Sequence, residues 1–198
     1  LASGTGEVNK DCSKDRLDSW SMVLIEWTTT NKRPKNLTSL VRSEGIPETM
    51  RCQFWQKLAK IDERPELADD YRILITKESK CEDVILRDVY RTFPAHEKFR
   101  ENGGGGQDAL YKVSRAYSVY DTEIGYCQGL SFIAATLLLH MPEEEAYQVL
   151  VAIMYDYGLR ELYKQNFENL SLRLFQLTCM LRVSKRLIKL LVTNSLFM

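Results

Sequence analysis

Apolar residues recur along this chain at a spacing of three and four. Leu17, Trp20, Leu24 and Trp27 form one such stripe, and Met50, Phe54 and Leu58 form another. That period is helical, and no segment shows the strict alternation of a strand, so the pattern predicts an all-α fold. Between the first two stripes, Lys32-Arg33-Pro34-Lys35 and Gly45-Ile46-Pro47 read as breaks, with Pro47 suited to be the first residue of the next helix. Leu67, Tyr71 and Leu74 predict a further helix, and Ile85, Val89 and Phe93 another, stopped by Pro94.

The run Gly103-Gly104-Gly105-Gly106 reads as a loop, after which Leu110, Val113, Tyr117 and Tyr120 resume a helical stripe that ends near Asp121. The following helix is expected to start around Gln128. Pro142-Glu143-Glu144-Glu145 opens another with negative charge in its first turn, which complements the helix dipole, and its stripe of Ala146, Val149, Leu150, Ile153 and Met154 stops at Gly158. Two or three more turns follow, through Leu162, Phe167, Leu170 and Leu174.

Charge changes this picture only at the end of the chain. The 198 residues carry 27 Lys+Arg and 27 Asp+Glu, a balance that argues against nucleic-acid binding, which needs a basic surplus to release phosphate counterions. From Asn169 onward, however, five bases occur with no acid, so residues 1–168 hold 22 bases against 27 acids, a net −5. The bases Arg182, Lys185, Arg186 and Lys189 therefore suggest peripheral contact with an anionic membrane surface, beside the plainer reading of a solvated helix face.

The five cysteines are widely spaced, without a C-x-x-C pair, which fits a reduced intracellular chain better than a disulfide scaffold. With only His96 and His140, and neither near a second ligand at metal spacing, no metal site is expected. The glycine run is followed by Gln107-Asp108 rather than Gly-Lys-Ser/Thr, so it fits no phosphate-loop template. No G-x-S-x-G elbow is present, and a self-contained hydrolase is a poor fit.

On the helix near residue 88, a stripe of Ile85, Val89 and Phe93 would put Arg91 on the opposite, outward side, steadied by Asp88 one turn earlier. By periodicity alone this is a surface ion pair, and Gln128 is a polar residue at a helix start. Read in order, however, the chain carries Gly45-Ile46-Pro47 with Arg51 and Trp55, then Ile85-x-x-Asp88-x-x-Arg91-Thr92-Phe93-Pro94, then Gly125-Tyr126-Cys127-Gln128-Gly129. In this order and spacing the segments resemble the TBC domain, the all-helical module of GTPase-activating proteins for Rab GTPases. Over residues 85–167 the wording is most similar to the Rab GTPase-activating protein 1 branch of that family.

The resemblance implies an arginine finger at Arg91 and a glutamine finger at Gln128, both supplied in trans, with Ile85, Asp88 and Tyr126 as their supports. Gly45, Pro47, Arg51 and Trp55 are assigned to structure. It further implies a Rab-family small GTPase as partner, with GTP and Mg²⁺ held by that partner, so the chain itself needs no cofactor and is an activator rather than an enzyme. A cytoplasmic location follows, peripheral on endomembranes. The expected organisation is a lead-in and helix over 1–32, a partial TBC domain over 33–181, and a divergent basic tail over 182–198. The family's C-terminal helical half is expected to be missing, leaving Leu174, Leu177 and Leu181 uncovered. The alternative reading is a catalytically inactive fragment acting as a regulatory or interaction module.

Overall fold

The computed structural model describes residues 13–100, 104–164 and 167–195, with side chains up to 183. Among the described residues every regular element is helical. The chain divides into two compact units, Leu1–Ile153 and Met154–Met198.

The first unit begins with α1, Lys14–Thr30, capped by the Ser13 hydroxyl, which accepts from the Arg16 N–H at 3.3 Å, and closed by Asn31 in the left-handed region at φ 49°. Its stripe, Trp20, Val23 and Trp27, packs on Leu37 and Phe54, with the Trp20 and Phe54 rings edge to face at 5.0 Å. Leu37 opens α2, Leu37–Glu44, a short helix that the breaks on either side concealed in the sequence. Gly45 ends it at φ 70°, where a side chain would be strained, and the Gly45 carbonyl accepts from Arg16 Nη2 at 3.0 Å. Pro47 is the cap of a 3₁₀ turn, Glu48–Met50, rather than a first helical residue, because its ψ of 139° is extended. Helix α3, Arg51–Ala59, continues directly from that turn.

Helix α4, Glu66–Leu74, buries Leu67, Tyr71 and Leu74 as their spacing predicts. Helix α5, Glu82–Arg91, ends earlier than expected: Thr92 is already extended and Phe93 has φ 47°, so the helix stops before Pro94 exerts its effect. A single-turn helix, α6, Glu97–Arg100, precedes α7, Gly105–Tyr120. Two members of the glycine run thus belong to a helix rather than a loop, with Gly104 as its cap; Gly103 lies outside the described residues. The reason is steric. A Cβ on Gly106 would lie 2.0 Å from the Lys98 carbonyl oxygen, so α7 can approach the preceding helix this closely only through glycine. Gln107 completes the junction by donating from Nε2 to the Phe99 carbonyl at 2.7 Å.

Helix α7 is the central element of this unit and packs against α4, α5, α6 and α8, Leu130–Leu138. Helix α8 begins two residues later than the sequence suggests, so Gln128 sits in the loop before it. Helix α9, Glu143–Tyr155, starts at the predicted acidic turn and is buried from Ala146 to Ala152.

Arg51 and Trp55, assigned to structure because a Trp on an apolar stripe is usually core, both face the end of α8. The Trp55 ring meets the buried His140 imidazole edge to face at 4.9 Å, and Arg51 Nη1 lies 3.5 Å from His140 Nε2. Burial lowers the His140 pKa below its usual 6.5, with Arg51 and Lys98 adding to the effect and Glu48 opposing it. A depressed histidine pKa favours the neutral folded form, so its contribution to stability is complete above about pH 6.5 and declines as pH falls through the folded value. Unfolding followed by denaturant at a series of pH values should show this decline, and His140→Gln should flatten it.

In the second unit a 3₁₀ turn, Leu159–Leu162, is followed by α10, Glu168–Ser195. This single helix of 28 residues passes residue 182 without a break, so the tail set apart by its charge is helically continuous with what precedes it. Leu174, Leu177 and Leu181 are each about half exposed, as expected, and Phe175 on another face is more exposed still. Arg182 is exposed; Lys185, Arg186 and Lys189 have side chains outside the described residues.

Candidate functional site

The site grows from the buried face of α5. With Phe93 off the helix, that face is Ile85, Asp88, Val89 and Thr92, the i, i+3, i+4, i+7 set of an amphipathic helix. Asp88 is therefore only 2% exposed and belongs to the core side, which corrects its placement on a wet surface. Counting Phe93 in the stripe had rotated the apparent centre away from Asp88. Arg91 lies on the border of this face with a side chain 50% exposed, as its outward assignment requires.

A buried carboxylate needs partners, and Asp88 has three. Its Oδ2 accepts from the Tyr126 hydroxyl at 2.8 Å and from the Gly129 N–H at 3.0 Å. Its Oδ1 forms an ion pair with Arg91 Nη2. Gly129 can aim its N–H this way because it holds φ 94°, a conformation that L side chains rarely adopt, while the space around its Cβ position is open. Tyr126 thus does more than pack: its hydroxyl fastens the loop to α5. Burial is the main cause that raises the Tyr126 pKa well above the ordinary phenol value, and the adjacent Asp88 carboxylate adds to it while Ser131 opposes it.

Gln128 follows in the same loop and is exposed. With its amide oxygen toward the guanidinium, it accepts from Arg91 Nη2 at 2.8 Å and from Nη1 at 3.2 Å. Among the described residues, Asp88 and Gln128 together engage three of the five guanidinium N–H groups. The structure therefore brings Asp88, Arg91, Tyr126 and Gln128 to one place, with Ile85 one turn earlier on the buried face of α5. Gly45, Pro47, Arg51 and Trp55 sit on the α2–α3 side and make none of these contacts.

Residues that the sequence reading passed over also meet here. Thr92 and Ser131 are fully buried, and their hydroxyl oxygens are 2.7 Å apart. Thr92 was discoverable as the i+7 partner of Ile85; Ser131 had no comparable local signal. Phe93 packs edge to face on Phe132 at 5.3 Å, and Phe132, like Tyr90 beside Arg91, remains exposed.

The Asp88 hub makes a testable demand on stability. Asp88→Ala strips the Tyr126 O–H and the Gly129 N–H of their acceptor and should lower the unfolding free energy by roughly 2 kcal/mol or more. Tyr126→Phe removes one of those bonds and should cost about 1 kcal/mol. Denaturant melts of the two variants beside the parent check the order.

This arrangement sets an arginine and a glutamine side by side on a helical domain, and comparison with known proteins gives the family of that domain. A profile of the Rab-GTPase-TBC domain matches residues 48–198, and the chain belongs to that family. It is 47% identical over 186 residues to the Caenorhabditis elegans Rab GTPase-activating protein tbc-11, covering 92% of this chain and 20% of the relative. To the human Ecotropic viral integration site 5 protein homolog it is 40% identical over 163 residues, 82% of this chain and 20% of that protein. The chain thus spans about a fifth of these relatives. Among solved structures it resembles the Chlamydomonas flagellar RabGAP TBC domain, with a TM-score of 0.59 and 26% identity over 71% of this chain and 51% of the other.

Proposed function

We propose that the chain accelerates GTP hydrolysis by a Rab-family GTPase, with Arg91 as an arginine finger and Gln128 as a glutamine finger, both acting in trans. The observation that carries this reading is the juxtaposition of a half-exposed Arg91 and an exposed Gln128, whose amide oxygen, turned toward the guanidinium, accepts at 2.8 and 3.2 Å. GTP and Mg²⁺ belong to the partner in this account. The chain contributes side chains and no bound cofactor.

The chemistry favours these two residue types. Phosphoryl transfer to water spreads negative charge over the phosphoryl and bridging oxygens, and a planar, delocalised guanidinium matches that distribution better than a compact ammonium. The attacking water must also be aligned, and a carboxamide offers an acceptor and donors without adding charge. Asp88 sets the rotamer of the guanidinium before the partner arrives, and the loop tied at Tyr126 and Gly129 holds the carboxamide. Exposed Tyr90 and Phe132 nearby supply the aromatic surface that protein partners favour.

In the same account the exposed Arg182, with Lys185, Arg186 and Lys189 on the same helix, holds the chain against anionic endomembranes from the cytoplasmic side. Among the described residues no helix is long and apolar enough to cross a membrane. Phosphate release from a panel of GTP-loaded Rab GTPases tests the principal reading. Stimulation of at least one member is expected; binding without stimulation by a cooperatively folded chain would instead favour the interaction-module alternative.

A further inference from the structure

Two fingers on different elements are useful only if their spacing is fixed, and Arg91 and Gln128 stand 37 positions apart in the chain, so that spacing is a tertiary property. Two ties join α5 to the loop that carries Gln128. One is the Asp88 carboxylate, bound to Tyr126 and Gly129. The other is neutral: the Thr92 hydroxyl lies 2.6 Å from the Asp88 carbonyl, an acceptor in the last turn of α5, and 2.7 Å from the hydroxyl of Ser131, the second residue of α8. One hydroxyl proton cannot serve both contacts. With the Thr92 proton on the carbonyl, Ser131 can donate to Thr92, and both oxygens are then satisfied out of reach of water, while the same Ser131 hydroxyl also lies beside the Tyr126 hydroxyl that donates to Asp88.

The positions matter more than the bonds themselves. Anchors at 88 and 92 bracket Arg91, and anchors at 126, 129 and 131 bracket Gln128. We infer that Thr92 and Ser131 are positioning residues whose buried hydroxyl pair holds the end of α5 against the start of α8 and so fixes the distance between the arginine and the glutamine finger. The inference rests on the GTPase-activating reading above. Neither hydroxyl touches the reacting atoms. A misplacement of the fingers by about 1 Å is enough to cost on the order of 10²-fold in rate, whereas the surface that receives the partner would be unchanged.

The test uses Thr92→Val, Ser131→Ala, the double variant and Thr92→Ser, with single-turnover hydrolysis by a responsive GTPase measured over a range of chain concentrations. Each single variant leaves one buried hydroxyl or carbonyl without its partner and should melt earlier, with kcat reduced about 10- to 100-fold and KM for the GTP-loaded GTPase within about threefold. The double variant removes both hydroxyls but still leaves the Asp88 carbonyl without the Thr92 proton, so its melting should recover part of the way from Thr92→Val toward the parent, because the Ser131 hydroxyl is no longer stranded. Its kcat should stay low. Thr92→Ser keeps the hydroxyl and should retain most of the rate.

A double variant that regains kcat together with its melting temperature would overturn the positioning role and leave a structural one. Arg91→Ala, measured in parallel, separates the two levels of the argument. If it abolishes stimulation while the double variant keeps full rate, the hydroxyl pair alone is refuted. If Arg91→Ala leaves stimulation intact, the finger reading fails and the positioning role falls with it.

Discussion

Replacing Arg91 by alanine should remove nearly all stimulation of GTP hydrolysis, a loss of about 10³- to 10⁵-fold corresponding to roughly 4 to 7 kcal/mol of barrier. Arg91→Lys should fare little better. Lysine keeps the positive charge but presents a compact ammonium in place of the fork that meets Asp88, Gln128 and the transferring phosphoryl group together. Helix content should be unchanged in both variants, since Arg91 is the last residue of α5 and half exposed. Circular dichroism beside a phosphate-release assay separates loss of catalysis from loss of fold. In the proposed role the guanidinium acts on charge that develops only in the transition state, so kcat and kcat/KM should fall together. Retention of most of the rate by either variant would refute the assignment.

The second large effect belongs to Gln128. Gln128→Ala should slow stimulated hydrolysis by about 10²-fold, because the attacking water loses its orienting acceptor and donor. It also frees the Arg91 Nη1 and Nη2 groups from a bond each, so the guanidinium becomes less ordered before the partner arrives. Gln128→Glu is a sharper control. It preserves size and the bond to Arg91 but places a negative charge beside a negatively charged phosphoryl group, so it should be no more active than alanine. Gln128 is exposed and precedes α8, and the melting temperatures of these variants should therefore lie near that of the parent.

The stripes of α1, α3, α4 and α7 were readable in the sequence because each is carried by large apolar residues at helical spacing, and burial of Trp20, Phe54, Tyr71 and Leu110 follows from it. The face of α5 was misjudged for a specific reason. Phe93 continues the apolar period numerically, yet its backbone has turned into the left-handed region, and counting it in the stripe hid that Asp88 and Thr92, at i+3 and i+7 from Ile85, complete the buried side. Likewise the glycine run looks like a loop by composition, whereas Gly105 and Gly106 are helical because α7 must approach the Lys98 carbonyl. Arg91 and Gln128 were singled out by resemblance to a family; their mutual hydrogen bonds, and the Thr92 to Ser131 contact beside them, join residues far apart in the chain and leave no periodic trace. Local pattern therefore located the helices, and tertiary pairing determined the site.

The central claim is that this chain supplies the glutamine as well as the arginine. It is tested most directly by single-turnover hydrolysis on a responsive Rab GTPase whose own catalytic glutamine has been replaced by leucine. The parent chain should still accelerate that GTPase, and Arg91→Ala and Gln128→Ala should each abolish the acceleration. Stimulation of the unaltered GTPase with none on the leucine variant would contradict the account and return the alignment of water to the GTPase.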